Sequence, residues 1–233
     1  MAKTELTIII ATLGEDTLPD TIKSIMASSL LPDKILLSIP EDRQGLVAPL
    51  KDENPLIEIL PSKKRGQTAQ RLLGFQAAKS EYVLQLDSDI VLKSNCLEIL
   101  MHHIGQHKKL AVGPARFEYN TQAYTSYLVP GTRGVSKLEE KILYFLANGR
   151  TGFQEGIISK SGINFGVVKT NDNQIVEWLS GCCILHRRDN LILHDFYPFE
   201  GKAYAEDLFH SKMLTDNHIK LCFVGGAKIL VKR

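Results

Sequence analysis

The 233-residue sequence contains no apolar run close to the roughly 20 residues that a helix needs to cross a bilayer. Its first residues, Met1-Ala2-Lys3-Thr4-Glu5, lead at once into a short apolar segment and lack the length and flanks of a secretory signal. A cytoplasmic location is therefore expected, with any membrane contact peripheral, at the inner face. Cysteine is scarce. Cys96, Cys182, Cys183 and Cys222 form no CxxC pair and no Cys/His cluster with zinc spacing. The adjacent Cys182-Cys183 lies in an apolar run, which reads as buried free thiols in a reducing compartment. An excess of one charge is also missing, since 28 Lys and Arg face 26 Asp and Glu. Nucleic acid as a partner is left without an electrostatic footprint. There is no internal repeat and no low-complexity tract. What is present is an ordinary globular composition and enough chain for one substantial α/β domain.

The first half alternates short apolar runs with helical periodicity. Leu6 to Ala11, Lys34 to Ile39, Leu56 to Leu60, Tyr82 to Leu86 and Leu110 to Ala115 read as strands. Between them, helices are predicted around Pro19, where Ile22, Ile25 and Met26 share a face, over Gln67 to Ala78, and from about Ser94 to His107. The Gln67 to Ala78 helix is expected to bury Ala69, Leu72, Leu73 and Ala77. Strands separated by helices imply a mostly parallel central sheet flanked by helices, with ligands at the carboxyl ends of the strands. Thr12, Glu41 and Asp87 all follow predicted strand ends and are expected to converge. The second half is less regular. A helical stretch near Val135 to Leu146 interrupts a Gly- and Tyr-rich region from Phe117 to about Phe165, which reads equally as a substrate lid or as a poorly ordered segment. An Asn171-Asp172-Asn173 turn is expected between Val167-Val168 and Ile175-Val176. Gly181 to His186 reads as a strand, Asp189 to His194 as a short helix and Glu206 to Asn217 as a longer one.

Four groups of residues carry chemistry. Asp87-Ser88-Asp89 places two carboxylates two residues apart at the end of an apolar strand. Their repulsion is relieved by a hard divalent cation, Mg²⁺ or Mn²⁺, which takes one or two carboxylates together with phosphate oxygens. A solvated turn is the plain alternative. The Gly66 to Gly74 helix can present Arg71 to the crevice, while Gly74 permits close packing on the sheet. The preceding Lys63-Lys64-Arg65 is a solvated basic run, or a contact to phosphates or an anionic membrane. In Trp178-Leu179-Ser180-Gly181, the small residues admit a sugar or phosphate to the backbone, and Trp178 offers a stacking face or simply a core residue. In Ala205-Glu206-Asp207-Leu208, acids in a first helical turn complement the helix dipole. A carboxylate placed across the crevice can also act as a general base.

Taken in order, TIIIATLGED, the Gly66 to Gly74 helix, SEYVLQLDSD, WLSGCCILHRRD and AEDLFHSKML resemble family 2 glycosyltransferases of the GT-A fold. The resemblance runs from Leu6 to about Val224. It implies a single domain over 1–233, with a nucleotide-binding half (approximately 1–115) and an acceptor-binding half (116–233). It also implies inverting transfer of a sugar from a nucleotide-diphosphate donor, usually UDP-linked, to an acceptor hydroxyl of a glycan or lipid-linked saccharide. By similarity Thr12 and Leu13 line the nucleoside pocket, Glu41 and Arg71 lie near the base, and Asp87 near the ribose. Ser88 adjoins the donor, and Asp89 binds Mg²⁺ or Mn²⁺. Ser180 and Gly181 border donor sugar and acceptor, with Trp178 and Glu206 on the acceptor side, and Asp207 is the catalytic base. The sequence departs from the pattern at Ser38-Ile39-Pro40-Glu41-Asp42, where adjacent aspartates are usual, and at Leu72, where Asn is common. Gly225 to Arg233 contains no histidine ligand, which leaves two readings: Lys232 supplies charge to the phosphates instead, or the metal has fewer protein ligands. The QxxRW signature is absent, which favours single additions over polymer extrusion. Two other readings stay open: a sugar nucleotidyltransferase, which would open with a basic Gly-rich loop, and a non-catalytic nucleotide-sugar-binding protein.

Overall fold

The computed structural model describes residues 5–126, 137–149, 152–197 and 203–232. The β-branched run at the start forms β1 (Leu6–Ala11) and is buried along its whole length. Such continuous burial requires cover on both faces of the sheet. On one face Ile8 and Ile10 pack with Leu18, Ile22 and Ile25 of α1 (Leu18–Met26). On the other, Ile9 meets Phe75 of α3 (Gln67–Ala77). β2 (Lys34–Pro40), β3 (Ile57–Ser62) and β4 (Tyr82–Asp87) pair in parallel with β1, in the order β3-β2-β1-β4. A short α2 (Ala48–Glu53) precedes β3.

Beyond the acidic triplet the chain turns back as β5 (Ile90–Leu92) and continues through α4 (Cys96–Gly105) into β6 (Leu110–Glu118). There follow α5 (Lys137–Asn148), β7 (Asn173–Val176), β8 (Cys183–Arg187), α6 (Glu206–Asp216) and β9 (Lys220–Val231). The full order is β3-β2-β1-β4-β8-β6-β9-β5, with β7 also on β9. β8 is inserted antiparallel between β4 and β6, and β5 and β7 run antiparallel to β9. β1, β2, β3, β4, β6 and β9 share one direction, so the largely parallel α/β sheet expected from the sequence is present.

Several local expectations are corrected. α3 buries Gln70, Arg71, Gly74 and Phe75 rather than Ala69, Leu72, Leu73 and Ala77. The buried polar pair is tolerated because each side chain finds partners at the strand ends. Gly74 does provide the close approach, since a Cβ there would lie 2.3 Å from Ile9 Cγ2. β9 was not expected, and it runs through Gly225-Gly226. Its pairing with β6 shifts register there, from Pro114 opposite Val224 to Ala115 opposite Lys228. A Cβ at Gly225 would come within 2.4 Å of the Thr170 carbonyl oxygen. Of the predicted Asp189 to His194 helix, only a 3-10 turn at Arg188–Asn190 forms, and Val167-Val168 is not a strand. The described part of the irregular region has its own small core of Tyr144, Ala147 and Phe165; residues 127–136 and 150–151, within the proposed lid, lie outside the described residues. All four cysteines are free, three of them buried.

Candidate active site

Strand ends build the floor of a crevice. Thr12, just beyond β1, donates its amide to the Ser38 carbonyl of β2 at 3.0 Å. The turn that follows closes on itself. Thr12 Oγ1 donates to Glu15 Oε2 at 2.5 Å, Leu13 N–H donates to the same oxygen at 3.1 Å, and Gly14 N–H donates to Thr12 Oγ1 at 2.9 Å. Burial opposes ionisation of Glu15, but the Thr12 hydroxyl and neighbouring donors hold its carboxyl below the usual range. From the buried face of α3, Gln70 Nε2 donates to Thr12 O at 2.8 Å and Ser38 O at 2.6 Å, tying the ends of β1 and β2.

Arg71 occupies the next position on that face and joins three elements. Its guanidinium donates to Asp87 Oδ1 at 2.6 Å, to Gly181 O at 3.1 Å and to Glu206 Oε1 at 2.9 Å. Gln67 Nε2 adds a donor to Asp87 Oδ1 at 2.9 Å, and Gln85 Nε2 donates to Gly181 O. Burial works against the Arg71 charge, yet Asp87 and then Glu206 outweigh it and raise its pKa. Removing either partner of such a buried pair costs far more than the pair contributes, because a bare charge is left behind.

Two cavities open above this network. One, of ≈ 690 Å³, is lined by Thr12, Leu13, Glu15, Gln70 and Ser88, together with Arg43 and Arg65. The other, of ≈ 570 Å³, is lined by Arg116, Ser180, Gly181, Glu206 and Asp207. They meet at Asp87, Asp89 and Ala203, which line both. Burial, then the charge of Asp87, pushes the Asp89 carboxyl up to about 6. Burial, then Glu206, pushes Asp207 up to about 6 as well. Arg116, whose Nη1 donates to Ser180 Oγ at 2.7 Å, pulls both values the other way. Ala205, directly before Glu206 and Asp207, holds a left-handed backbone with φ of 55°. A non-glycine residue there stores strain of about 1 kcal/mol, a feature that clusters at functional sites.

The structure thus gathers Thr12, Leu13, Asp87, Ser88 and Asp89 around one cavity, and Ser180, Gly181, Glu206 and Asp207 around the other. Gly181 leaves no space for a side chain, since a Cβ would sit 2.9 Å from Glu206 Oε1. Four expectations are corrected. Glu41 opens an exposed 3-10 turn and does not line the crevice; Glu15 and Arg43 take that side. Arg71 lies beneath the floor, held there by its carboxylates, and does not reach a base. Trp178 is a core residue, 7% exposed, whose indole N–H donates to Phe165 O at 2.9 Å, so it offers no open stacking face. The Lys232 ammonium is paired with Asp20, while its amide donates to Asp89 O at 2.8 Å. Sequence reasoning missed Glu15, Gln67, Gln70 and Arg116. Gln67, Gln70 and Arg71 at i, i+3 and i+4 were the available signal, three polar residues on one helix face.

Among the described residues no trio of His, Cys, Asp and Glu is arranged to hold a metal by itself. The oxygen donors at the junction nevertheless fit Mg²⁺ or Mn²⁺, which bind through one or two carboxylates and keep sites for phosphate and water. The mutual repulsion recorded at Asp89, from Asp87 and Glu15, is what such an ion would relieve.

The sequence profile described as Glycosyl transferase family 2 matches residues 7–163. The chain belongs to that family. Over 124 residues this family 2 chain is 33% identical to polypeptide N-acetylgalactosaminyltransferase 10 of Mus musculus and 32% identical to that of Rattus norvegicus. Each alignment covers 47% of this chain but only 21% of the relative's length. Among solved structures, GalNAc-T7 with UDP, GalNAc and Mn²⁺ superposes with a TM-score of 0.67 at 16% identity, covering 98% of this chain and 43% of that one. S. aureus TarS 1-349 superposes at 0.61 and 15% identity, covering 97% of this chain and 60% of that one. The family 2 chain therefore has the GT-A fold.

Proposed function

We propose that this family 2 domain transfers a sugar from a nucleotide-diphosphate donor, first of all a UDP-sugar, to an acceptor hydroxyl of a glycan or lipid-linked saccharide, with inversion. The observation that carries the reading is the pair of cavities that share Asp87 and Asp89, with Asp207 facing the second. In this reading Thr12 and Leu13 receive the nucleoside, Asp87 the ribose, and Asp89 with Ser88 the diphosphate side. Ser180 and Gly181 border the transferred sugar. Mg²⁺ or Mn²⁺, when bound at Asp89, supplies positive charge against the diphosphate.

Asp207 takes the acceptor proton while the hydroxyl oxygen bonds to the anomeric carbon and the bond from that carbon to the phosphate oxygen breaks. Attack on the face opposite the leaving nucleotide inverts the configuration. A carboxyl raised to about 6 is ionised at neutral pH and is a stronger base than an ordinary aspartate. Glu206, fixed by Arg71, keeps negative charge beside it. No described helix is long and apolar enough to cross a membrane.

Because a structural neighbour was solved with UDP, GalNAc and Mn²⁺, UDP-GalNAc heads the donors to test. The assay follows UDP release from a panel of UDP-sugars with Mn²⁺ and hydroxyl acceptors, and reads the anomeric configuration of the product by NMR. Wild type is expected to turn over one donor, and Asp89→Ala and Asp207→Asn to lose that turnover. Retained transfer in Asp207→Asn, or a product of retained configuration, overturns the mechanism. Pyrophosphate release from a nucleoside triphosphate would instead establish nucleotidyl transfer.

A further inference from the structure

Behind the Arg71 network lies a second polar cluster that the proposed chemistry does not use. His210 sits one helical turn beyond Glu206 on α6 and is 3% exposed. Its ring stacks on Phe196 at 5.3 Å and Phe75 at 6.2 Å, and His186 tilts against it at 5.4 Å. Such packing suits a hydrophobic ring, yet His210 Nε2 is buried without a protein partner. Three neighbours share that condition. One is His186, whose two ring nitrogens are buried without a protein partner but which does not line the cavity that the others share. Arg71 Nε and Gln85 Oε1 are also buried and unpartnered, although every other described polar atom of those two side chains is bonded to the site. Arg71, Gln85 and His210 all line one small cavity of ≈ 10 Å³, whose remaining walls include Phe75, Ile192 and Phe196.

An unsatisfied buried polar atom costs about 1–3 kcal/mol, so three on the walls of one cavity favour a shared partner. A void of that size is at the threshold for a single water, which needs two to four polar partners. The donor and acceptor count matches. Arg71 Nε–H donates to the water oxygen, and the water's hydrogens go to Gln85 Oε1 and to the lone pair of a neutral His210 at Nε2. We propose that Arg71, Gln85 and His210 enclose a structural water beneath the catalytic floor, and that His210 is thereby a positioning residue for the guanidinium that holds Asp87 and Glu206. Burial and the nearby Arg71 charge push His210 down to about 3, so it stays neutral and able to accept at neutral pH. The consequence for transfer rests on the function proposed above; the water site itself does not.

The test compares wild type with His210→Phe, which fills the void and keeps the stacking, and His210→Gln, which keeps an acceptor. In wild type without donor, the Arg71 Nε–H resonance is expected to be protected from exchange and to show a cross-relaxation peak to a bound water. That peak should vanish in His210→Phe and return in His210→Gln. With donor and acceptor, His210→Phe should lower kcat about tenfold, the value of one lost hydrogen bond to a charged group, and should also lower Tm because Arg71 Nε and Gln85 Oε1 lose their partner; His210→Gln should restore both. An unprotected Arg71 Nε–H in wild type, or a His210→Phe protein that keeps the water peak, overturns the site. A wild-type water peak with unaltered kcat in His210→Phe overturns the positioning role alone. If no variant or wild type transfers sugar, the water peak still decides the site.

Discussion

Replacing Asp207 by Asn should make the protein more stable at neutral pH while removing its turnover. An aspartate moved from 3.8 to about 6 holds its proton more tightly in the folded chain than in the unfolded one. The stability this gives is present below 3.8 and is lost as pH rises through about 6. At neutral pH wild type carries an ionised group in a site that penalises ionisation, mainly by burial and then by Glu206. Asparagine occupies the same volume and does not ionise. The displacement corresponds to ~3 kcal/mol, at about 1.4 kcal/mol for each tenfold change in acidity. Partial exposure to solvent reduces this to ~1–2 kcal/mol, or a rise of roughly 3–6 °C in Tm for a domain of this size. Thermal unfolding followed by circular dichroism, without metal or nucleotide, reads the effect. The gain should be largest above about pH 7 and shrink toward zero near pH 4, where wild type is protonated too. A variant that melts at or below wild type at neutral pH would falsify the reasoning, as would a gain independent of pH.

Arg71→Met leaves Asp87 and Glu206 unpaired and should destabilise the fold by ~3–5 kcal/mol in urea unfolding, with donor affinity lost even at low temperature. Gly74→Ala drives a Cβ to 2.3 Å from Ile9 Cγ2; overpacking of ~1–3 kcal/mol should appear in the unfolding midpoint, and an unchanged midpoint would mean that α3 shifts freely on the sheet. Gly181→Ala places a methyl against Glu206 and Arg71 and should cut kcat about tenfold or more by displacing the base, with a far smaller change in Tm than Arg71→Met. In wild type with saturating Mn²⁺, kcat/KM should fall on the acid side of about 6 with a steepness of one proton, as Asp207 takes up its proton.

The sequence made legible whatever depends on local pattern. Apolar β-branched runs announced β1, β2 and β4, and a carboxylate pair at the end of such a run announced the junction of the cavities. Other features depend on partners remote in sequence. Nothing local to Gln70 and Arg71 says that they are buried, because their burial is permitted by Ser38, Asp87 and Glu206. Glu41 looked right by spacing from β2, yet the turn after β1 folds Glu15 toward the same crevice. β9 was not expected; it runs through Gly225-Gly226, which break a strand in isolation and here let it bulge past the Thr170 to Asp172 backbone. Trp178 had two readings, and only the Phe165 carbonyl decides between them.

β8, made from the second half of the chain, lies between β4 and β6, made from the first. The last strand pairs with β5, and its following residue fixes the Asp89 carbonyl. During synthesis, therefore, the acidic triplet leaves the ribosome long before the strands that immobilise it exist. The nascent first half presents β4 with a bare edge, open to pairing with another chain until β8 arrives. Assembly of the junction is a late, long-range event, and pairing of that kind is intrinsically slow and exposed to aggregation at the strand that carries the carboxylates.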